Sequence, residues 1–456
     1  MKKILSIMAI ATLAFLAAGC DLALPDSAPE PFSPLYEVSV QLTLAGEDFN
    51  VEGVGVTLAD NSGIATYNST TNAGGRATFL VPAGDYSASA THKISRDGVF
   101  ITHNGANTKI GVTKMATTFP LKLREVIRQQ IIIKELYSTG CPDNSGKAYN
   151  FDSYIVLYNN SETEADASDI VFAFAAPYNS PLQNGNKYIV DGALIYENES
   201  WLPAYNAIWW FTEPVTIPPY SQIVIAVFGA IDHTETVSAS VDLSNPDYYW
   251  MSNDRLTSYT NGKYKCADNI PASHYLTCIP YTQGNAWALS VTSPAFYIGK
   301  MPREEAARLS NDKNNYDTTL GTSAPFYVVK FPQANVIDAV EVWVAAGVEN
   351  GFFRFPAIIN TGYIGITNNL GHTVYRNVDR ESTEALEENQ GKLVYGYSGG
   401  TYDEAKQTGT TDPSGIDAEA SIANGAHIIY SDTNDTGKDF HERQISSLKR
   451  LETPQM

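Results

Sequence analysis

Long amphipathic helical runs are nearly absent from this 456-residue chain. A surface helix repeats its apolar residues every three to four positions, and almost no window here does so. That argues against a helical cytosolic enzyme. Charge is scarce too. Asp, Glu, Lys and Arg make up 18% of the chain, and 30 basic residues face 50 acidic ones, a formal net charge of −20. With so few cations to neutralise phosphates, nucleic acid is not an expected partner. Electrostatic attachment to anionic lipid is disfavoured for the same reason. The four cysteines are not spaced as a zinc site. The histidines at 92, 103, 233, 274, 372, 427 and 441 show no H-x-x-x-H spacing, and there is no phosphate-cradling loop or dinucleotide fingerprint. No cofactor and no metal site are expected.

What the chain has is tyrosine and β-branched residues. Aromatics are 11% of it, and Tyr alone accounts for 27 residues. Short runs of such residues, closed by Gly, Pro, Asn or Ser, read as strands. Gln130–Ser161 shows this most plainly. Ile131–Tyr137 and Tyr154–Tyr158 are strand runs separated by a polar loop, and Asn159-Asn160-Ser161 stops the second.

The N-terminus reads as a targeting segment. Lys2-Lys3 precede the apolar Ile4–Leu16, which is too short for a good spanning helix. Ala17-Ala18-Gly19-Cys20 resembles a bacterial lipobox, which implies a signal peptide over residues 1–19, acylation of Cys20 and a membrane anchor of lipid chains. Residues 20–34 then form a Pro-rich, acidic tether that would reach roughly 45 Å in a polyproline-like state. Asp21 and its neighbouring acids resemble the export signal of surface lipoproteins in the Bacteroidota. In enteric bacteria an Asp beside the lipidated cysteine favours inner-membrane retention instead. The expected location is the outer membrane, at the cell surface, with the leaflet left open. This compartment permits disulfides. Cys266 and Cys278 lie close together around a turn-rich segment and are the expected pair, with Cys141 as a free thiol.

Residues 35–125 read as one small sandwich. In Asn72–Tyr86, Gly74-Gly75 supplies a permissive turn, Ala77, Phe79 and Val81 alternate towards one face, and Pro82-Ala83-Gly84 reverses the chain. The stretch resembles the signature of carboxypeptidase-regulatory-like, prealbumin-type sandwiches, which implies a spacer or platform without catalysis. Arg124–Arg128 reads as a charged junction.

Residues 126–450 resemble an enlarged lamin-tail-like sandwich. Lys134-Glu135-Leu136 and Tyr154–Asn159 stand at its opening, and Ile217–Ala226, Asn285–Leu289 and Val336–Val340 follow in order. Val374-Tyr375-Arg376 and Asp432–Asp435 with Asp439-Phe440 resemble its closing elements. Long inserts fall near 176–214, 233–274, 301–324 and 345–371, and such loops commonly carry binding surfaces. Pro302–Asn311 reads as a helix, and Glu381–Asn389 as a second. The expected fold class is all-β: an N-terminal immunoglobulin- or prealbumin-like sandwich, then a larger lamin-tail-like sandwich with insertions and few short helices. The pairing resembles an uncharacterised family of Bacteroidota surface lipoproteins, some of them encoded beside TonB-dependent receptors.

Three motifs invite chemistry. Gly396-Tyr397-Ser398-Gly399-Gly400 fits G-x-S-x-G between a strand-like 393–395 and a helix-like 402–407. The surrounding β-runs do not match a hydrolase of that type, so a Gly-rich turn is expected. Asp432–Gly437 begins like a calcium loop, but Arg443 stands where a bidentate Glu is needed. Asp232-His233 lies beside an insert and would need distant partners to bind a metal. Aromatics in the inserts are a better lead, since Trp and Tyr join an apolar body to a polar handle. Trp210, Tyr249 and Trp250 are the candidate ligand-binding residues, because adjacent aromatics on a strand face opposite sides and cannot all enter one core. The functional expectation is a non-enzymatic, lipid-anchored outer-membrane binding protein, accessory to TonB-dependent nutrient uptake. The alternative is a glycan- or peptide-binding surface or adhesion module.

Overall fold

The computed structural model describes residues 34–449 apart from 62–64, 97–98, 114, 182–187, 192, 253–264, 282–286 and 318–327. The signal peptide, Cys20 and the tether up to residue 33 lie outside the described residues. The protein is all-β with a few short helices. No described helix is long and apolar enough to cross a membrane.

The first unit contains β1 (Leu35–Leu44), β2 (Glu47–Asp48), β3 (Gly55–Asp60), β4 (Thr66–Thr70), β5 (Arg76–Pro82), β6 (Gly84–Arg96), β7 (Val99–Val112) and β8 (Thr117–Ile127). They pair in the order β2-β1-β8-β7-β6-β3-β4, with β5 on the other side of β1. Period-two patterning fills the core: Val38, Val40 and Leu42 of β1, Ala77, Phe79 and Val81 of β5, and Leu121 and Leu123 of β8 form one buried cluster. The Arg124–Arg128 junction needs correction. β8 runs on to Ile127, pairing Arg124 with Asn104 and Ile127 with Ile101, because strand pairing satisfies backbone groups that a free linker would leave to water.

The second unit begins three residues later. Its large sheet contains β9 (Ile131–Tyr137), β10 (Tyr154–Asn159), β11 (Ile170–Phe174), β12 (Trp209–Phe211), β13 (Gln222–Ala226), β14 (Tyr249–Met251), β15 (Tyr275–Cys278), β16 (Ala295–Lys300), β17 (Val336–Val344), β18 (Ile364–Ile366), β19 (Thr373–Arg376) and β20 (Phe440–Arg443). The spatial order is β18-β17-β16-β11-β12-β15-β14-β13-β10-β9-β19-β20. The sheet curls into a near-barrel, so its two ends meet. The Ile133 N–H of β9 donates 2.7 Å to the Asp338 carboxylate of β17.

Both faces of this sheet are covered, which is why β9, β10 and β11 are buried along their whole length. Ile170, Phe172 and Phe174 of β11 point into the inner core. Val171 and Ala173 point out, under a layer made by 201–205, 328–332 and helix α1 (Arg303–Asn311). A third cluster covers Ile132 and Tyr158 with residues of 416–430. The expected helix over 381–389 is broken into α2 (Arg380–Glu384) and a 3-10 turn at Glu387–Asn389. Residues 402–407 form a turn closed by the Asp403–Thr408 bridge rather than a helix. Two short helices carried no strong sequence signal: α3 (Ala418–Ala423) and α4 (Thr436–Asp439), capped by Asp417 and Asp435 respectively.

Candidate binding cleft

A cavity of about 910 Å³ lies between the two units. One wall is the outer face of β7 and β8. Because Leu121 and Leu123 face the first core, Lys122 and Arg124 must face out. Asn104 to Asn107 of β7 continue this wall, and Leu44 and Ala45 close one side. Gly105 is required here, since a Cβ would sit 2.4 Å from the Lys122 carbonyl oxygen. The opposite wall comes from the second unit: Ala357, Ile358 and Thr361 of an insert, with Thr433, Asn434 and Asp435. Ile358 is 67% exposed, an unusual state for a large aliphatic side chain facing a cavity. Gly362, at φ +70°, lets the insert approach Asp435, whose carboxylate would lie 2.2 Å from a Cβ there.

Polar contacts tie the walls together. The Asn104 amide donates to the Thr433 carbonyl at 3.3 Å, and Lys438 Nζ donates to the Asn104 amide oxygen at 3.0 Å. Beyond the cleft, Asp379 accepts from Lys93 at 2.8 Å and from Arg128 at 2.7 Å. Within the cleft the acids are already committed. Glu125 meets His103 at 3.2 Å, and Asp435 pairs with Lys438 at 3.4 Å while accepting from the Gly437 N–H at 3.1 Å. Burial lowers the pKa of Arg124, and the charge of Glu197 opposes that shift. Neither Lys122 nor Arg124 forms an ion pair or side-chain hydrogen bond among the described residues.

The residues expected to bind ligand lie elsewhere. Trp210, 7% exposed, packs in the outer cluster while its neighbour Trp209 enters the inner one. Trp250, 9% exposed, joins the inner core and donates its indole N–H to the Phe228 carbonyl. Both are therefore core residues and not a ligand surface. The premise that adjacent aromatics face opposite sides holds, but each side has its own core. Tyr249 is half-buried, with its ring stacked on His274 at 4.4 Å and edge-on to Phe211. The disulfide is also corrected: Cys141, Cys266 and Cys278 are all free thiols. Cys266 hydrogen-bonds with Tyr275. Cys278 is buried in the inner core on β15, whereas Cys266 is only half-buried against that core.

The remaining motifs have structural partners. Ser398 is exposed in an irregular turn. His427 is turned to Glu388 at 3.1 Å, and His441 lies between the Tyr397 hydroxyl and the Asn377 amide, both at 2.7 Å. Desolvation, reinforced by Arg443, pushes His441 down to about 3. His233 has both ring nitrogens occupied, by the Tyr149 hydroxyl and the Gly229 carbonyl. In the calcium-like segment a guanidinium stands where a cation would. Buried Arg376 pairs with Asp338 and lies near Asp432 at 3.7 Å and Asp439 at 4.0 Å. Burial pushes Asp432 up to about 7 and Asp439 to about 6. No metal-holding group of His, Cys, Asp and Glu occurs among the described residues.

The Lys134-Glu135 pair of the opening motif is structural as well. Lys134 is the extra residue of a bulge against β10 and lies fully buried. Its ammonium sits 5.5–5.8 Å from the rings of Tyr158, Tyr375 and Tyr430 and 2.7 Å from Glu419. Glu135 accepts from the Tyr154 hydroxyl at 2.7 Å and holds the Ser447 backbone at 3.1 Å.

No curated protein matches this chain. Among solved structures, a DUF4876 family protein from Bacteroides thetaiotaomicron is 20% identical with a TM-score of 0.49, covering 92% of this chain and 97% of that one. A DUF3823 family protein from Parabacteroides merdae is 12% identical with a TM-score of 0.16, covering 32% of this chain and 68% of that one. Residues 218–396 of this chain match the profile of a family described as "Protein of unknown function (DUF4876)".

Proposed function

We propose that this is a non-enzymatic, lipid-anchored binding protein of the outer-membrane surface, which holds a ligand in the cleft as an accessory to a TonB-dependent receptor. The cleft carries the reading. At about 910 Å³ it lies within the range of small-molecule sites, and it combines apolar walls with a few polar groups. The lipobox-like Ala17–Cys20 and the tether support a surface anchor. The placement of reactive groups supports a role without catalysis. Ser398 is exposed while the two histidines that follow it are engaged elsewhere. Burial pushes the Cys141 thiol up to about 12, far from a nucleophilic state. The test is an affinity pull-down of the acylated chain from detergent-solubilised membranes. Co-purification of a TonB-dependent receptor is expected, and recovery of no receptor or other surface protein counts against the proposal.

One observation favours the second reading, a glycan- or peptide-binding surface module. Where the 345–371 insert meets β17, Trp343 of that strand stacks on Tyr363 at 3.8 Å, and Phe353 beside them is 42% exposed. Saturable quenching of tryptophan fluorescence by a soluble sugar, abolished in Phe353→Ala, would favour this reading. Quenching that survives the substitution would reject it.

A further inference from the structure

The outer face of β8 presents two cations in an acidic chain, while the lining as a whole, Lys122 and Arg124 against Glu125 and Asp435, balances in formal charge. The protein carries a formal net charge of −20, yet the β8 wall presents Lys122 and Arg124 on one face, two residues and ~7 Å apart. The acids that line the cavity are already paired: Glu125 with His103 and Asp435 with Lys438. Lys122 and Arg124 have no such partner among the described residues, and Glu197, the acid acting on Arg124, forms no ion pair with it. Opposite them Ile358, exposed, and Ala357 form an aliphatic patch beside the polar Thr361, Thr433, Asn434 and Asp435, while Leu44 and Ala45 close the side. A cation pair left open on one side of a cavity and aliphatic surface on the other call for a ligand with the complementary division. An arginine fork receives planar or tetrahedral oxyanions by paired hydrogen bonds, and a lysine adds a point charge.

We propose that the occupant of the cleft is a small anionic amphiphile: an apolar body bearing one carboxylate or phosphate, with its charge received by Lys122 and Arg124 and its body by Ile358 and Leu44. This rests on the reading of the cleft as a binding site. The charged group lies against the first sandwich and the apolar body against the insert of the second, so the ligand touches both units.

Three dansyl probes with one apolar body separate the parts of this proposal. They are dansylglycine, which carries a carboxylate; dansyl-ethanolamine phosphate; and neutral dansylamide. Fluorescence titration of the full chain should show one or both anionic probes binding about tenfold more tightly than dansylamide, the gain expected of charge-assisted hydrogen bonds. Whichever of the two binds more tightly identifies the head group. The double variant Lys122→Gln/Arg124→Gln should erase that preference and leave the melting temperature unchanged, since both side chains stand on the outer face of β8. Ile358→Asp should weaken all three probes. Equal binding of charged and neutral probes, or a preference that survives the double variant, overturns the anionic assignment and leaves the cleft reading standing if Ile358→Asp still weakens binding. If no probe binds, or Ile358→Asp changes nothing, the cleft reading falls with it.

Discussion

The first sandwich and the large unit keep their cores in different ways. The cluster inside β1 to β8 is built from Val, Leu, Ile, Ala, Phe and Tyr, and no Asp, Glu, Lys or Arg is among the buried residues described there. The large unit buries Lys134, Glu135, Glu341, Arg354, Arg376 and Asp338 almost completely. These charges link segments far apart in the chain. Arg354, from an insert, pairs with Glu341 at 2.6 Å and donates to the carbonyls of Pro177, Ser293 and Val342. Arg376 joins the carbonyls of Ile133 and Ser431 to Asp338. A small sheet with short turns is specified by alternation alone. A curled sheet interrupted by long inserts has ends and loops that apolar burial, which has no direction, does not place. Directional hydrogen bonds to buried charges place them.

Removing one of those charges tests the contrast most severely. Glu341→Ala strands the Arg354 guanidinium in the core, at a cost of about 3–5 kcal/mol, a large part of the ~5–15 kcal/mol of a typical domain. Calorimetry should show the transition of the large unit falling steeply while that of the first sandwich stays in place. If both transitions move together, the two cores are not independent, and the comparison breaks.

A smaller effect follows from His441, held neutral in the large unit with its pKa pushed down to about 3. The unfolded chain takes up this proton near pH 6.5 and the folded chain does not. Stability is therefore lost as pH falls from 6.5 towards 3, at about 1.4 kcal/mol per pH unit. Between pH 7 and pH 5 this site costs about 2 kcal/mol. The raised Asp432 and Asp439 act in the opposite sense, so total stability does not isolate the histidine. The difference between variants does. In urea denaturation His441→Gln should lose about 2 kcal/mol less than the parent over that interval. Equal losses would show that His441 is protonated in the fold.

The smallest effect concerns the junction of the two units. Asp379 is held below its usual range by Lys93 and Arg128, against the effect of burial, and it also caps α2 through the Ser382 N–H. Lys93 is 39% exposed and its share is screened by solvent. Asp379→Asn keeps the cap, since Asn serves there as well as Asp, and weakens only the charge contacts. It should cost ~1 kcal/mol and separate the two calorimetric transitions slightly. A change as large as that of Glu341→Ala would show that the units share one cooperative core.

The reach of sequence reading follows the same division. Ala77, Phe79 and Val81 reveal their face by period two, and the helix at 303–311 by its start after Pro302. Trp209 and Trp210 were legible as pointing in opposite directions, but the sequence contains one strand and no sign of the second layer waiting outside it. Nothing in the sequence marks Lys134 and Glu135 as buried; a bulge against β10 and Glu419 enclose the first, and Tyr154 and Ser447 hold the second. Lys122 and Arg124, two residues apart between apolar partners, have the same pattern as any exposed strand edge. Nothing local marks them as one side of a cavity.

The sequence by itself determined the all-β class and the scarcity of helix, because backbone propensity and side-chain alternation act over a few residues. Only the tertiary structure decided which tryptophans are core, which cysteines form no disulfide, and that Ile358 lines one cavity with Lys122 and Arg124. Those outcomes depend on which face of the curled sheet is covered and how the second unit rests on β7 and β8. They are set by the packing of segments more than two hundred residues apart, for which a linear pattern carries no distance.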